Sequence, residues 1–448
     1  MRTADRLVVY QTPPFAQSRF SGRVRRTLSS NFRTHEDFRH VEEWRDLFAR
    51  FGQADMLHFT TSTRDLEAGR FFLLLNLGAY VNLSPLYPKS ITGYSIYSAF
   101  SPKEWKALRD LKGRILLYLI NEVLFASPDY IRIMHEEMDR WHIDPSNVVI
   151  VNNNLLSDRS YEAACSRLGY DRRAVVLPYA GLYWLFAARR RNLTPGVRDP
   201  RIESAYSTVG GRERPYKFVS FNGRIRAHRV CVVLFLIARG LEASGRTSLL
   251  WSMPGKQMTV ADLEPMLDRM PFVEELRPQL PGLVSRLPLV LDFEPRGVLP
   301  PMQATPDAAL YDDSYFSILT DTLFMDDDML FLTEKPFKSI LNLHPFVYVG
   351  NPGALREFRR LGYETFSPCI DESYDGISDH TARMAAVLHE IERLVNLPKP
   401  RLHEMYCELW PRLEHNYRLL THGAAERFPR DLQGKIGTPL GLDLFPGS

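Results

Sequence analysis

The chain has 448 residues, of which 45% are hydrophobic and 24% are charged, a composition typical of a folded globular protein that excludes general disorder. At about 100–200 residues per domain, this length predicts two or three domains. The formal net charge of +3 argues against a protein that coats nucleic acid, although it leaves room for a local basic groove.

The cysteines and the apolar windows favour a cytoplasmic protein. The four cysteines are Cys165, Cys231, Cys369 and Cys407. They are far apart and form no CxxC pair, which argues against a zinc site and a disulfide framework. The opening residues show no signal-peptide core, and the most apolar windows are shorter than the roughly 20 residues of a membrane-spanning helix. We therefore expect a cytoplasmic chain, with any contact at the inner membrane face being peripheral.

In chain order, apolar runs alternate with helical patterns. The first series predicts strands at 6–10, 71–77, 113–119, 147–151 and 174–177, with helices at 128–141 and 157–168. Residues 189–215 are rich in Arg, Gly and Pro, as an interdomain linker would be. The second series predicts strands at 217–221, 247–251, 315–320, 345–349 and 364–366, with helices at 228–240, 356–361, 381–395 and 402–420. This alternation predicts parallel sheets in two α/β domains, residues 1–205 and 206–448, facing across a cleft.

An arginine segment, residues 222–229, follows the first predicted strand of the second series. It places Asn222, Arg224, Arg226 and Arg229 at the start of a predicted helix. Ligands of open α/β sheets bind at the carboxyl ends of strands, and a helix N-terminus favours anions. Because cations at that end oppose the helix dipole unless an anion is present, the segment predicts a phosphate site. The alternative is a set of simply exposed cations.

A lysine segment, residues 333–338, opens a second predicted helix with Thr333 as a fair N-cap and Glu334 in the first turn. Capping does not explain Lys335 and Lys338, which again oppose the dipole. A carboxylate can accept two ribose hydroxyls while a nearby lysine reaches a phosphate, so the segment suits a nucleoside diphosphate. A plain Glu–Lys surface pair is the alternative, and Lys335 has no clear role beyond pairing with the acidic loop before it.

Residues 315–375 contain the motifs TEKPFK, HPFVYVGNPG, LGYETF and DESYD in that order. This run resembles the C-terminal signature of GT-B-fold glycosyltransferases, and most of all bacterial and phage glycosyltransferase-like proteins. It is more distantly similar to the α1,3-fucosyltransferase group and to exostosin-like enzymes. The arginine segment resembles the same group's N-x-R-x-R-x-H-R pattern. The chain departs from the pattern at Asp321, where many relatives carry Glu, and at Pro336 and Ser339.

The resemblance implies two Rossmann-like domains with closing C-terminal helices: an acceptor-side domain, then a nucleotide-sugar domain. It implies that Glu334 holds the ribose, and that Lys338 and Arg226, with Arg224, neutralise the diphosphate leaving group as catalytic cations. The further donor-binding candidates are Asn222, Arg229, Thr333, Lys335 and Asn351.

The acceptor proton needs a base if the reaction inverts configuration. Glu122 directly follows the third predicted strand and is the candidate, while residues 152–154, three asparagines, follow the next strand and could bind acceptor hydroxyls. The acidic run at 326–328 could hold a divalent metal, but it falls where the pattern has a variable loop. We therefore expect no metal and no cofactor.

These features predict a nucleotide-sugar-dependent glycosyltransferase. Its acceptor would be a glycan or lipid-linked saccharide, as in polysaccharide biosynthesis, or a natural product. Peptide or nucleobase acceptors, and a nucleotide- or glycan-binding protein that has lost catalysis, are the alternatives. Nucleic-acid binding through the arginine-rich residues 18–33 and 187–201 is a third hypothesis, which the near-neutral charge balance disfavours.

Overall fold

The computed structural model describes residues 7–11, 57–60, 64, 66, 71–77, 102–119, 128–181, 183–184, 187, 212–250, 258–291, 308–325 and 328–444. The chain forms two compact units. Unit 1 comprises Met1–Arg189 and Ala424–Ser448, and unit 2 comprises Arg190–Gly423. Each unit is built on its own parallel sheet, as the alternation of apolar runs and helical patterns predicts.

Unit 1 contains a six-stranded sheet of order β2-β1-β3-β4-β5-β6 in its described part. Its strands are β1 (Leu7–Gln11), β2 (Leu57–Thr60), β3 (Phe71–Leu77), β4 (Arg114–Leu119), β5 (Val148–Asn152) and β6 (Val175–Pro178). Every neighbouring pair runs parallel, with Val8 opposite Phe71 and Ile115 opposite Val148. The predicted strand at 71–77 is confirmed in full, and β2 is a strand that the sequence patterns did not indicate.

The described helices of unit 1 pack on this sheet through their apolar stripes. They are α1 (Pro102–Asp110), α2 (Pro128–Arg140), α3 (Ser157–Leu168) and the C-terminal α13 (Ala424–Leu432). Strand residues such as Leu73 and Ile150 share a buried core with helix residues such as Ile131 and Met138. Burial of a large aliphatic side chain contributes about 1.5–3 kcal/mol, so this apolar alternation is the main source of the unit's stability.

The C-terminal helix belongs to unit 1, whereas the sequence assigned residues 206–448 to a single domain beginning after residue 205. Phe428 of α13 packs edge-on against Trp184, with ring centroids 5.4 Å apart. The Trp184 indole Nε1–H donates to Asp431 at 2.7 Å. A buried indole needs a hydrogen-bond acceptor, and α13 provides one within unit 1. A domain boundary inferred from composition does not show that the C-terminal helix belongs to unit 1, because the contacts of that helix join residues distant in sequence.

Unit 2 contains a four-stranded parallel sheet of order β10-β9-β7-β8 in its described part. Its strands are β7 (Tyr216–Ser220), β8 (Gly245–Thr247), β9 (Ser314–Thr320) and β10 (Phe346–Val349). All residues of β9 and β10 are buried, and β10 is a continuous apolar run, whereas β9 also buries Ser314 and Ser317, which hydrogen-bond His344. The central position of β9 places its end beside the ends of both neighbours.

The helices of unit 2 include one that is apolar on all sides. This helix, α4, buries every residue from His228 to Leu236. The described helices of the unit are α4 (Ala227–Ala238), α5 (Val260–Leu263), α6 (Val273–Leu276), α7 (Leu280–Val284), α8 (Ala308–Asp312), α9 (Lys335–Leu341), α10 (Ala354–Arg360), α11 (His380–Asn396) and α12 (Lys399–Arg418). A π-helical turn, Leu419–Gly423, follows α12. No helix in the described ranges is long and apolar enough to cross a bilayer.

The predicted strand at 364–366 is wrong. These residues are irregular, and side chains satisfy their backbone groups in place of a neighbouring strand. Asn416 accepts from the Glu364 N–H at 2.8 Å and donates to its carbonyl at 2.7 Å. The Phe366 N–H donates to Glu372 at 2.6 Å. Because side chains can satisfy backbone groups, a short segment can be partly buried without joining a sheet.

Candidate functional site

Polar residues follow each strand of the unit 2 sheet at the edge where the parallel strands end. We call this set the polar edge: Asn222 after β7, Ser248 after β8, Asp321 after β9 and Asn351 after β10. All four are buried, with Asn222 fully inaccessible. Buried polar groups are costly unless they are hydrogen-bonded, so their partners define what the edge can do.

Asn222 ties three strand ends together. Its side-chain amide donates to Ser220 Oγ at 3.1 Å and to the Ser248 carbonyl at 2.9 Å. Its Oδ1 accepts from the Thr320 hydroxyl. Both amide hydrogens and the oxygen are therefore engaged within the sheet. Asn222 shapes the polar edge, and its predicted contact with a donor molecule stays a prediction.

Asp321 is the most densely bonded residue of the polar edge. Its carboxylate accepts from Thr333 Oγ1 at 2.7 Å, from the Thr322 N–H at 2.6 Å and from the Tyr348 hydroxyl. Lys335 Nζ lies 3.4 Å from the same carboxylate and donates to Thr322 Oγ1 at 3.0 Å. Burial and the Asp321 charge raise the pKa of Tyr348 well above its usual value, so its hydroxyl remains a donor.

The backbone carbonyl of Asp321 holds the first turn of α4. It accepts from His228 Nε2 and from Arg229 Nη2, both at 2.9 Å. Because a carbonyl only accepts, the His228 ring is protonated on Nε2. Burial, with Arg229 nearby, lowers the pKa of His228 well below its ordinary value, so the ring is neutral. Arg229 also donates to the Arg224 carbonyl at 3.1 Å and thereby fixes the course of the arginine segment.

Arg224 and Arg226 are placed differently from Arg229, which is buried. Arg224 is exposed and Arg226 is half-buried. Within the described part of the chain, neither guanidinium makes an ion pair or a side-chain hydrogen bond. Arg226 is the N-cap residue of α4, which has no capping side chain and no acid in its first turn. Two uncompensated cations therefore stand at the positive end of a helix, which favours an anion.

The lysine segment begins its helix one residue later than expected. The helix α9 starts at Lys335, and Glu334 is its N-cap residue without a side-chain capping bond. Thr333 Oγ1 still accepts from the Lys335 N–H at 3.3 Å while donating to Asp321. The Thr333 hydroxyl therefore caps the first turn of α9 although Thr333 precedes the N-cap residue, because the Asp321 carboxylate orients it.

Both lysines of this segment have carboxylate partners. Lys338 Nζ lies 3.5 Å from Glu334 Oε1 in an i,i+4 pair, with side chains only 12% and 17% exposed. The pair is largely buried, so it differs from the exposed Glu–Lys pair that was the alternative to a phosphate contact, and the predicted phosphate contact of Lys338 stays a prediction. Lys335, which lacked a clear role in the sequence, is held by Asp321 and Thr322. The described part of the segment is therefore charge-balanced, unlike Arg224 and Arg226.

Asn351 and Arg383 hold the loop that follows β9. Asn351 Nδ2 donates to the Met329 carbonyl at 2.7 Å. Arg383 is almost fully buried, and it donates to the carbonyls of Phe324, Ile377 and Ser378. Its guanidinium lies 4.7 Å from the Phe324 ring centroid. These bonds fix both ends of the described loop, and Asp328 is the member of the acidic run that falls within the described residues.

The DESYD motif, residues 371–375, follows α10 in the chain and holds the start of that helix. The Asp375 carboxylate accepts from the N–H groups of Leu355 and Arg356, each at 3.0 Å, at the start of α10. The Tyr374 hydroxyl accepts from the Tyr348 N–H at 3.1 Å. Gly353 before α10 has φ of +80°, which favours glycine. The motif stabilises the fold behind the polar edge.

The acceptor-side candidates lie in unit 1. Glu122 is outside the described residues. Asn152 Oδ1 accepts from the Asn154 N–H at 2.8 Å, and Asn154 Oδ1 accepts from the Leu156 N–H at 3.0 Å. These asparagines thus build the turn from β5 into α3, and their predicted contact with an acceptor stays a prediction. No group of three or more His, Cys, Asp or Glu in the described ranges could hold a metal ion.

The sequence patterns do not mark Asp321 or Tyr348 as residues of the candidate site. Asp321 was noted only as a departure from the family pattern, and Tyr348 only as part of a buried strand. One signal could have found Asp321: it directly follows the predicted strand at 315–320, where a buried carboxylate needs donors beside it. No comparable signal marks Tyr348, because a tyrosine in a strand shows no sign of where its hydroxyl points.

The comparisons with known proteins show only distant similarity. No protein-family model matches the chain, and no curated protein matches it either. The α,α-trehalose 6-phosphate synthase structure from Burkholderia multivorans is 14% identical, with a TM-score of 0.38 over 96% of this chain and 97% of that chain. The N-terminal domain of trehalose-6-phosphate phosphatase from Candida albicans is 12% identical, with a TM-score of 0.41 over 97% and 98%. Identities and TM-scores of this size are too low to transfer an activity to this chain.

Proposed function

We propose that the chain is a glycosyltransferase that uses a nucleoside-diphosphate sugar, and that the arginine segment, next to the polar edge of unit 2, binds the diphosphate. The observation that carries the proposal is the pair of arginines, Arg224 and Arg226. Within the described residues they have no counter-charge, and they stand at the N-terminus of a twelve-residue helix at the carboxyl edge of a parallel sheet. A diphosphate would supply the missing negative charge.

The chemistry of the arginine segment suits a diphosphate better than a carboxylate or a single phosphate. Guanidinium groups bind phosphate oxygens in bidentate pairs, and two of them two residues apart can engage two phosphate groups. Free N–H groups at a helix N-terminus add further donors. Arg229 cannot act in the same way without breaking its bonds to the Arg224 and Asp321 carbonyls, so we assign it to the support of the segment.

Glu334 remains the candidate for the ribose hydroxyls. It is the last residue before α9, on the side of the sheet edge where Asp321 holds the lysine segment. Its Oε1 interacts with Lys338, and a carboxylate has lone pairs for further donors. We propose that the Lys338 partner holds Glu334 in place for the two ribose hydroxyls.

The arginines would also serve the reaction itself. In sugar transfer the bond between the sugar and the diphosphate breaks, so negative charge builds on the leaving oxygens. Fixed guanidinium groups stabilise that charge more in the transition state than in the ground state, which is the condition for catalysis. Glu122 remains the proposed base for an inverting reaction. We propose that the reaction proceeds without a metal and that the acceptor is a glycan or lipid-linked saccharide.

Titration of the purified chain with UDP-, GDP- and dTDP-sugars, followed by calorimetry and thermal unfolding, tests the donor site. Binding at one hundred times Kd would stabilise unit 2 by about 2.7 kcal/mol. Arg226→Ala should weaken binding by about 10- to 100-fold, since a hydrogen bond to a charged group contributes about 1.5–3 kcal/mol. Arg224→Ala should act in the same direction.

Arg418→Ala is the matched control, because Arg418 is an exposed arginine that pairs with Glu414 on its own helix. It should leave the affinity unchanged. Release of the nucleoside diphosphate in the presence of a lipid-linked saccharide, with and without EDTA, then tests turnover and metal independence. Binding without any release would favour the non-catalytic alternative, and the absence of binding to every donor would refute the donor site.

A further inference from the structure

Asp321 places a buried carboxylate at the point where several donors of unit 2 converge. The side chain is 1% exposed, and its donors come from three separate places: the loop after β9, the lysine segment and β10. Burying a carboxylate costs several kcal/mol unless its partners are well placed, and it seldom adds net stability over an apolar substitute. Stability alone is therefore a weak reason for this residue.

The same residue links both charged segments of the site. Its carboxylate orients Thr333 and lies 3.4 Å from Lys335, at the start of α9. Its backbone carbonyl accepts from His228 and Arg229, in the first turn of α4. Arg229 of the arginine segment and Glu334 of the lysine segment are 105 positions apart in the sequence. They meet through the backbone and side chain of one residue at the end of β9.

We propose that Asp321 is the positioning residue of the nucleoside-diphosphate site, holding Lys335 and the first turn of α4 in the geometry that the diphosphate requires. This inference rests on the proposed function and adds to it a residue that touches no substrate atom. Lys335 then contributes to the site only in the position that Asp321 sets.

Simple electrostatics makes the opposite prediction, which gives the proposal a sharp test. Removing a negative charge beside an anion site strengthens anion binding if the charge acts only through space. Removing a positioning carboxylate weakens anion binding, because Lys335 and Thr333 lose the geometry that their hydrogen bonds impose. The sign of the change in affinity therefore separates the two roles.

The experiment is calorimetric titration with UDP, GDP, CDP and dTDP, each alone, on the full chain and on Asp321→Asn. Asparagine keeps the shape and loses the charge. The positioning role predicts at least about tenfold weaker binding of the nucleotide that the wild type prefers, as expected for loss of charged hydrogen bonds. Unchanged or tighter binding by the folded variant overturns the proposal.

Asp375→Asn is the matched control. Asp375 is also a buried aspartate of unit 2 that accepts two backbone N–H groups, but its partners belong to α10, outside both charged segments. It should lower the unfolding temperature and leave the affinity within about twofold. If both aspartate variants weaken binding equally, general destabilisation explains the effect and the proposal fails.

Two further variants keep the proposal testable if Asp321→Asn does not fold. Thr333→Val keeps the carboxylate but removes the hydroxyl between Asp321 and the Lys335 N–H, and it should weaken binding about threefold. Lys335→Met should weaken binding alone but add no loss on top of Asp321→Asn, because the two act as one unit. Additive losses would overturn the proposal.

If the wild type binds none of the four nucleotides, the proposed function fails as well. If the wild type binds one of them and the variants bind it equally well, only this inference fails.

Discussion

The residues at the carboxyl ends of the strands differ chemically between the two parallel sheets. In unit 1, β5 ends in Asn152, and Asn152 and Asn154 accept backbone N–H groups of the turn into α3. In unit 2, β9 ends before Asp321, a buried carboxylate bonded to a lysine, a threonine and a tyrosine. Neutral amides are enough to build a strand-to-helix turn. The charges of unit 2 therefore exceed what the turn itself needs.

This difference separates residues that build the fold from residues that could recognise a ligand. Asn152, Asn154 and Asn222 saturate nearby backbone or side-chain groups. Arg224 and Arg226 have no counter-charge within the described ranges. A ligand can bind to groups that the fold leaves uncompensated at little cost, whereas it must displace existing bonds at the others.

The largest expected effect in this comparison is on stability, from Asn222→Ala. The change leaves the Thr320 hydroxyl and the Ser248 carbonyl without their Asn222 partner in a fully buried place. Each buried group left unsatisfied costs about 1–3 kcal/mol, so we expect the two groups together to cost unit 2 about 2–6 kcal/mol. Hydrogen exchange of the β7 and β9 amides under native conditions measures this loss directly.

Asn154→Ala in unit 1 is the matched change at the other sheet. It removes a turn acceptor and should cost about 1 kcal/mol, as loss of a helix-capping side chain does. Exchange should then accelerate in β5 and stay unchanged in β7. If Asn222→Ala lowers the free energy of unfolding no more than Asn154→Ala does, Asn222 does not hold the strand ends together. Its amide is then again a candidate ligand contact.

The fold was largely predictable because its elements are local. The apolar run at 71–77 and the helical spacing at 157–168 each match an observed element in full. A strand buried on both faces shows as an unbroken apolar run, and an amphipathic helix shows as a 3.6-residue period. The strand predicted at 364–366 failed because side chains supply its hydrogen bonds: Asn416 bonds Glu364 from 52 residues away, and the nearby Glu372 bonds Phe366.

The candidate site was predictable in part for the same reason. Clustered charge at Arg224 and Arg226 is visible in the sequence, and so is the i,i+4 spacing of Glu334 and Lys338. The pairing of Lys335 with Asp321 is not, because it depends on β9 and α9 meeting in space. The sequence therefore indicates which residues carry charge, while the structure determines which of those charges are already compensated.

A second expected effect concerns pH and buried neutral histidines. Burial lowers the pKa of His344 to about 3, while Ser314 and Ser317 are its hydrogen-bond partners. Its folded pKa lies below the unfolded value of about 6.5, so its contribution to stability is present above pH 6.5 and is lost as the pH falls. Between these two pKa values, unfolding takes up about one proton at His344, so the free energy of unfolding falls by about 1.4 kcal/mol for each unit that the pH falls.

Urea unfolding of unit 2 between pH 7 and pH 4, followed by hydrogen exchange in β9 and β10, measures that slope. His344→Gln should lower it by about 1.4 kcal/mol per pH unit and leave the contribution of His228, whose pKa burial also lowers. His135 is the matched histidine of unit 1, and burial lowers its pKa while Asp139 opposes the shift. His135→Gln should therefore change the slope of unit 1 by less. An unchanged slope in His344→Gln would show that this histidine does not become charged on unfolding.

The smallest expected effect on affinity is that of Lys338→Met, and it decides between the two charged segments. Lys338 lies 3.5 Å from Glu334 in an i,i+4 pair whose side chains are only 12% and 17% exposed, so its removal should cost more stability than the roughly 0.3–0.5 kcal/mol of an exposed pair. We expect an affinity for the preferred nucleotide within about threefold of the wild type, against at least tenfold for Arg226→Ala. Calorimetric titration of both variants in one buffer makes the comparison. If Lys338→Met weakens binding as much as Arg226→Ala, the phosphate contacts Lys338, as the sequence predicted. The carboxylate partner seen in the structure would then be one that the ligand displaces.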